Sequence, residues 1–353
     1  MTHPIDMNAY GLTEDIQATA STITDLEIAR ILSQEKGYYR IVTEKGEKLA
    51  EISGKYRFQA VTMTDYPAVG DFVLVNWNVS GDTAIIEELL PRKSAFIRKA
   101  AGTTQQEQIV AANIDTVFLC MALNNDFNLR RLERYIATAW ESGAIPVVVL
   151  TKSDLATDLQ QTLTAVSSVA VGVDILVTTA MEEDSVQSLL PFLTQGQTVA
   201  FIGSSGVGKS TLINCLLEQA QQQTNGLRND DKGRHTTTHR ELFLIPSGGM
   251  VIDTPGMREL GMWENTSGIE QAFSDIEALT DTCKFRNCTH TNEPGCAILK
   301  ALADGSLQEE RWQSYQKLTL ENNFAEDKEG YLLAKGKREK NISKQIKKMT
   351  IRR

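Results

Sequence analysis

Residues Gly203-Ser204-Ser205-Gly206-Val207-Gly208-Lys209-Ser210-Thr211 set glycines, a lysine and two hydroxyls in the spacing G-x-x-x-x-G-K-[ST]. That spacing suits the holding of a phosphate chain. Gly206 and Gly208 let the backbone turn so that consecutive N–H groups face one anion, and a following helix adds the positive end of its dipole. Lys209 supplies a charge for the β- and γ-phosphates, and Ser210 offers a hydroxyl to Mg²⁺. The context is the required one: the apolar run Thr198 to Ile202 precedes the loop, and Leu212, Ile213, Leu216 and Leu217 follow it at helical spacing.

Two other strand ends carry complementary chemistry. Val251-Ile252-Asp253-Thr254-Pro255-Gly256 ends an apolar run on a carboxylate, where ligands sit in open α/β sheets. Asp253 is expected to hold Mg²⁺ through water, and the Gly256 N–H to meet the γ-phosphate and sense its loss. Upstream, Val147 to Leu150 run into Thr151-Lys152-Ser153-Asp154. The Asp154 carboxylate can accept from both N1–H and the 2-amino group of guanine, whereas adenine offers neither donor. An unpaired buried carboxylate would cost about 3–5 kcal/mol, so guanine is the expected base. A further turn, Thr178-Thr179-Ala180, follows the next apolar run and is placed to contact the base through its backbone.

The polar stretch from Gln219 to His239 has the composition of a loop ordered by ligand. One threonine among Thr236, Thr237 and Thr238 is expected on Mg²⁺. Thr237 is favoured, although spacing alone does not choose. His235 is the candidate catalytic group, the other reading being a switch-loop histidine with a structural or RNA-contacting part. Further on, Cys283-x₄-Cys288-x-His290-x₅-Cys296 supplies three thiolates and an imidazole among polar neighbours. This closed tetrahedral set suits structural Zn²⁺. Cys120 and Cys215 lie in apolar runs and are expected in the core.

These groups need elements to position them. The 353 residues suffice for two or three domains, and 41% apolar with 23% charged residues is a globular composition. No apolar run reaches the roughly 20 residues of a membrane span, and no leader is visible, so a cytoplasmic protein without a membrane partner is expected. Residues 1–29 read as a loose extension or short helix. Within 30–100, short runs (38–43, 48–58, 71–77, 83–90) broken by glycines and Pro67 read as an antiparallel barrel of OB type. Such a barrel either binds RNA or merely packs on its neighbour. Over 105–267, apolar runs alternating with helical periodicity (Leu129, Leu132, Ile136, Trp140) read as a doubly wound α/β domain with a mostly parallel sheet. Residues 268–353 read as helical (269–279 and 307–324) around the Cys/His cluster, with a basic tail from Lys335. The net charge of −9 argues against wholesale coating of nucleic acid. Arg286 and the tail are nonetheless cations for phosphates, or else a solvated surface.

The motif order is rotated. In most GTPases the phosphate loop comes first and the base-reading motif fourth. Here Thr151 to Asp154 and Thr179-Ala180 precede Gly203 to Thr211, then Gly233-Arg234-His235-Thr236-Thr237-Thr238, then Asp253 to Gly256. With the barrel before and the Cys/His knuckle after, this circular permutation resembles the ribosome small subunit-dependent GTPase A family (RsgA, also called YjeQ) over nearly the whole chain. The resemblance implies a monomeric GTP hydrolase that binds the small ribosomal subunit and its ribosomal RNA late in maturation. It also implies ribosome-stimulated turnover, GTP with Mg²⁺ and one structural Zn²⁺, and it supports His235 through the matching Gly-x-His-Thr-Thr segment. Two departures stand out. Met257 occupies the place where many GTPases carry a water-orienting Gln, so catalytic help must come from elsewhere. Thr151 stands where the family usually has Asn, and its shorter hydroxyl does not reach guanine N7, which bears on affinity more than on discrimination. A GTPase acting elsewhere in translation or RNA modification, and a nonenzymatic RNA-binding adaptor using GTP as a ligand, are the alternatives.

Overall fold

The structure is a computed structural model that describes residues 4–21, 26–35, 37–77, 83–99, 107–179, 186–223, 240–246, 248–253 and 267–326. It divides into two compact units, Met1–Gly261 and Met262–Arg353.

The first unit begins with a short helix, α1 (Glu14–Ala20), capped by the Thr13 hydroxyl. Five strands follow: β1 (Glu27–Gln34), β2 (Tyr39–Thr43), β3 (Gly46–Ile52), β4 (Phe72–Trp77) and β5 (Thr83–Leu89). They pair in the order β1-β2-β3-β5-β4, and β4 returns to β1 to close a barrel. The β3–β5 pairing is parallel and the others antiparallel. The period of two sends Ala29, Ile31, Ile41, Ala50, Val73 and Ile86 inward together. The run expected as one strand from Lys48 to Phe58 breaks at Ile52. Its alternation of apolar and basic residues continues, but Ser53 accepts a hydrogen bond from the Tyr56 amide (3.0 Å) and starts a helix, α2 (Gly54–Gln59).

A two-stranded ribbon, β6 (Ala95–Lys99) and β7 (Glu107–Ala112), leads into the α/β layer. That layer runs β8 (Thr116–Ala122), α3 (Leu129–Glu141), β9 (Ile145–Thr151), α4 (Leu159–Val169), β10 (Asp174–Val177), β11 (Thr198–Ile202), α5 (Lys209–Gln223), β12 (Glu241–Leu244) and β13 (Met250–Asp253). The strand order β10-β9-β8-β11-β13 is parallel throughout, and β12 is antiparallel beside β13. Because β9 and β10 lie on one side of β8 while β11 and β13 lie on the other, the chain reverses its winding between β8 and β11. Ligand crevices open at such switch points, beyond the carboxyl ends of the strands. Continuous burial along β8 and β11 accounts for their unbroken apolar text.

The sheet and barrel are continuous, because β12 pairs with β1 at Glu241 and Ser33 and Arg40 bridges to Glu241. Arg30 on β1 is fully buried at this seam. Its guanidinium donates to the carbonyls of Tyr10, Gly70 and Asn113, to Thr198 Oγ1 (2.9 Å) and toward Met250 Sδ, and it lies 4.9 Å from the Phe72 ring centroid. Burial draws its pKa down to about 10, still well above neutrality.

The second unit is helical: α6 (Ser267–Ala272), α7 (Ser274–Asp281), α8 (Ala297–Asp304) and α9 (Glu309–Glu326). Arg311 joins α9 to α7 by a two-pronged bond to Asp275 (2.8 and 2.5 Å) and lies against the Phe273 ring. α8 is an element that the apolar periodicity of Ile298 and Ala301 could have announced and that the sequence reading passed over.

Candidate nucleotide site and metal knuckle

The phosphate loop leaves β11 at the switch point. Gly203 has φ +155° and approaches β8 so closely that a Cβ there would lie 2.5 Å from the Cys120 carbonyl oxygen. Only glycine fits. Gly206 and Gly208 are likewise at positive φ. Val207 between them is buried in the core with Leu212 and Leu216 of α5, which fixes the loop from beneath. Ser205 and Gly206 stay exposed, Ser204 half-buried, and Ser210 and Thr211 stand exposed in the first turn of α5. The Lys209 ammonium lies over the loop, donating to the carbonyls of Gly203 (2.6 Å) and Ser204 (2.7 Å).

The Thr151-to-Asp154 turn leaves β9 on the far side of β8 and reaches back to this loop. Thr151 is buried and its hydroxyl donates to the Val207 carbonyl at 2.6 Å. Lys152, left-handed at φ +55°, sends its ammonium to the Gly206 carbonyl at 2.7 Å. Ser153 opens a short 3₁₀ turn and its amide donates to the Thr178 carbonyl (3.3 Å). Asp154 is exposed on that turn, and the Thr179 hydroxyl donates to its Oδ1 at 3.0 Å. Sequence reasoning assigned Thr179 a backbone part only. Its side chain orients the carboxylate, and a threonine 25 positions from an aspartate gave no spacing signal for that contact.

Asp253 ends β13, half-buried and opposite Glu241 of β12. Cys120 is buried, and burial pushes its thiol up to about 12, so it is a core side chain rather than a nucleophile. Ala180, His235, Thr236, Thr237, Thr238, Gly256 and Met257 lie outside the described residues, as does the basic tail.

In the second unit Cys283, Cys288, His290 and Cys296 bring one ligand atom each to within 4.8 Å of the others. The His290 Nδ1 lies 3.6 Å from Cys283 Sγ and 3.4 Å from Cys296 Sγ. Bond lengths of about 2.3 Å to sulfur and 2.0 Å to nitrogen give a tetrahedral S···N edge of about 3.5 Å. The set therefore fits a zinc-sized ion. His290 takes a left-handed turn (φ +56°) to join it. Cys296 caps α8 by accepting from the Leu299 amide (3.5 Å), and Cys283 accepts from the Ala297 amide (3.4 Å). Burial opposes ionisation of Cys283, but the amides of Ala297 and Ile298 and the Cys288 and Cys296 thiols outweigh it and hold the thiol below its usual range. Two further residues brace the knuckle and were not picked out in the sequence. Glu293 accepts from the amides of Thr289 (2.9 Å) and Thr291 (3.0 Å) on either side of His290. Trp312 of α9 meets the His290 ring edge-on at 5.6 Å.

A glycine-rich loop and helix N-terminus at the switch point of a parallel sheet, bonded to a Lys-x-Asp turn two strands away, define a phosphate-loop nucleotide-binding α/β protein. Comparison with known proteins makes the class particular. The family model described as RsgA GTPase matches residues 89–263. A model described as ABC transporter matches residues 191–342; its span includes the phosphate loop, a motif common to many nucleotide hydrolases. Small ribosomal subunit biogenesis GTPase RsgA 2 of Lactiplantibacillus plantarum is 48% identical over 91% of this chain and 90% of its own. RsgA 1 of Oceanobacillus iheyensis is 45% identical over 91% and 93%. Among solved structures, YjeQ from Thermotoga maritima superposes with a TM-score of 0.62 at 25% identity, covering 84% of this chain and 98% of its own. YloQ, described as a circularly permuted GTPase, gives 0.62 at 27%, covering 85% and 96%. The chain belongs to the RsgA GTPase family, whose members are GTP hydrolases, and it shares their permuted order.

Proposed function

We propose that this protein binds the small ribosomal subunit and hydrolyses GTP to GDP and phosphate during late subunit maturation, with turnover raised by the ribosome. The curated relatives carry the name of that process. The observation that supports the reading most directly is the pair of bonds from Thr151 to Val207 and from Lys152 to Gly206, which hold the guanine-reading turn against the phosphate loop. Asp154, oriented by Thr179, accepts from guanine, with Thr151, Lys152, Ser153 and Ala180 completing the base end. The amides of Gly203 to Thr211 and the Lys209 ammonium take the phosphates. Ser210, Thr237 and Asp253 serve Mg²⁺, which offsets charge on the β- and γ-oxygens. Gly256 contacts the γ-phosphate, and His235 orients the attacking water in place of the absent Gln.

Cys283, Cys288, His290 and Cys296 hold one structural Zn²⁺. The barrel, Arg286 and the tail from Lys335 contact ribosomal RNA, so that two separated weak contacts act together. The protein works as a cytoplasmic monomer, and its domains fall at 30–100, 105–267 and 268–353 after the extension 1–29. Turnover of GTP measured with and without purified small subunits tests the proposal. Slow hydrolysis alone and a rise of at least tenfold with subunits are expected, with the rise lost in His235→Ala. Equal rates with and without subunits would sink it, and an unchanged stimulated rate in His235→Ala would remove that residue from the mechanism.

A further inference from the structure

The barrel carries a feature that neither its closure nor the nucleotide site uses. Between β3 and β4, Phe58 is 92% exposed and Val61 89% exposed, with Met63 at 45%. Exposed apolar residues grouped in one short segment, unlike single ones, mark a candidate interaction site. The segment that displays them is nonetheless tightly held. Tyr56, two positions before Phe58, is buried and its hydroxyl donates to the Asp65 carbonyl. The Asp65 carboxylate accepts from the amides of Val61 (2.9 Å) and Thr62 (2.8 Å). Arg92 donates to the carbonyls of Thr64 (2.8 Å) and Tyr66 (2.9 Å) while gripping buried Asp71 with two prongs (2.8 and 2.7 Å). The backbone under Phe58 is thus fixed from both ends, and the ring is presented with little ordering left to do.

The charged residues of the segment have one sign. Lys55 and Arg57 both precede Phe58 and are exposed. From Ser53 to Thr64 the sequence holds no Asp or Glu, in a chain whose net charge is −9. The acidic residue that follows, Asp65, is engaged by backbone amides. An exposed aromatic ring preceded by two exposed cations, on a backbone held at both ends and in a segment that carries no carboxylate from Ser53 to Thr64, matches what an unpaired nucleotide requires. The ring stacks on the base and the cations meet the phosphates on either side. A protein partner would use the apolar side chains equally well but would have no need of the two exposed cations before the ring.

We propose that residues 55–63 form a stacking platform for an unpaired base of single-stranded RNA, with Phe58 under the base and Lys55 and Arg57 on the adjoining phosphates. The platform rests on the reading of the barrel as an RNA-contacting element and gives that reading a specific address.

The test uses the full chain and a fluorescently labelled eight-nucleotide single-stranded RNA of mixed sequence, with subunit-stimulated GTP turnover measured in parallel. Phe58→Ala is expected to weaken oligonucleotide binding roughly 5- to 150-fold, the range that one base–aromatic stack confers. Phe58→Trp should retain binding and Phe58→Leu should not. Lys55→Ala with Arg57→Ala should flatten the dependence of affinity on salt by about 1–2 in logarithmic slope. Since Phe58, Lys55 and Arg57 are exposed and away from the nucleotide loops, basal turnover should stay unchanged in all four variants. Full binding by Phe58→Leu would mean an apolar docking patch for protein and overturn the proposal. So would oligonucleotide binding indifferent to Phe58, or none by the wild type. Those outcomes leave subunit-stimulated turnover intact, whereas loss of stimulation in the wild type strikes the proposed function instead.

Discussion

The nucleotide crevice and the Cys/His knuckle are both polar sites, yet they are assembled in opposite ways. In the crevice, the residues that touch come from distant parts of the chain: Thr151 meets Val207 across 56 positions, Lys152 meets Gly206 across 54 and Asp154 meets Thr179 across 25. They converge because β9, β8 and β11 are neighbours in one sheet. In the knuckle, His290 stands seven positions after Cys283 and six before Cys296, and the chain simply turns on itself through a left-handed residue. A site made by topology inherits the stability of the sheet that makes it. A site made by a local turn has no such reserve and depends on whatever joins its four ligands.

Removing the proposed zinc ion should therefore produce the largest effect, confined to one side of the comparison. Metal binding to local sites of this kind supplies about 10–16 kcal/mol of apparent folding free energy in finger peptides. Stripping zinc with a chelator, or replacing Cys288 by Ser, should abolish hydrogen-exchange protection across residues 283–304, where α8 is capped by Cys296. Protection of β8, β9 and β11 should persist. Unchanged protection of α8 after complete metal removal would mean that Trp312 and the helices suffice to hold the knuckle.

The crevice should instead respond to a distant residue in the sheet. Arg30 touches no motif, yet it bonds to Thr198 at the start of the strand that feeds the phosphate loop and to Met250 on the strand that carries Asp253. Arg30→Met takes the guanidinium from the carbonyls of Tyr10 and Asn113, while Gly70 keeps its bond from Asn113 Nδ2, and should cost about 3–5 kcal/mol. Because the same guanidinium also holds Gly70 of the barrel, urea unfolding should remain one transition at lower denaturant. Two separated transitions would show that barrel and sheet stand independently and that the crevice owes Arg30 nothing.

The same contrast explains what was legible in the sequence. The phosphate loop and the knuckle are local patterns, and each names its own ligands. The barrel could be read from alternation and the parallel sheet from continuous apolar runs, but β1, which closes the barrel by pairing with β4, fell partly in the expected extension, and the parallel β3–β5 pairing departs from the antiparallel expectation. The bonds that unite the crevice were not legible, since nothing in Thr151 announces a partner 56 positions away; a hydroxyl that seemed too short for the base turns out to have another acceptor. Arg30 was hidden for a related reason. A lone arginine inside an apolar strand shows its role only when Tyr10, Gly70, Asn113 and Thr198 are brought around it. In α2, period-two alternation continued past a capping serine, and the cap decided the structure.

The finest separation lies within the crevice itself, between reading a base and holding a loop. Thr151→Val keeps the shape and removes the hydroxyl, leaving the Val207 carbonyl unpaired at a cost of about 1–3 kcal/mol. That cost falls on the phosphate loop, so affinity should drop roughly 5- to 150-fold for GTP and by the same factor for ITP and ATP. Asp154→Asn changes the proposed guanine acceptor and should weaken GTP strongly while leaving ATP almost unchanged. Fluorescence titration of the two variants with the three nucleotides distinguishes the roles. If Thr151→Val altered GTP binding but not ATP binding, the hydroxyl would belong to base recognition, and the crevice would be two independent local sites rather than one assembled across the sheet.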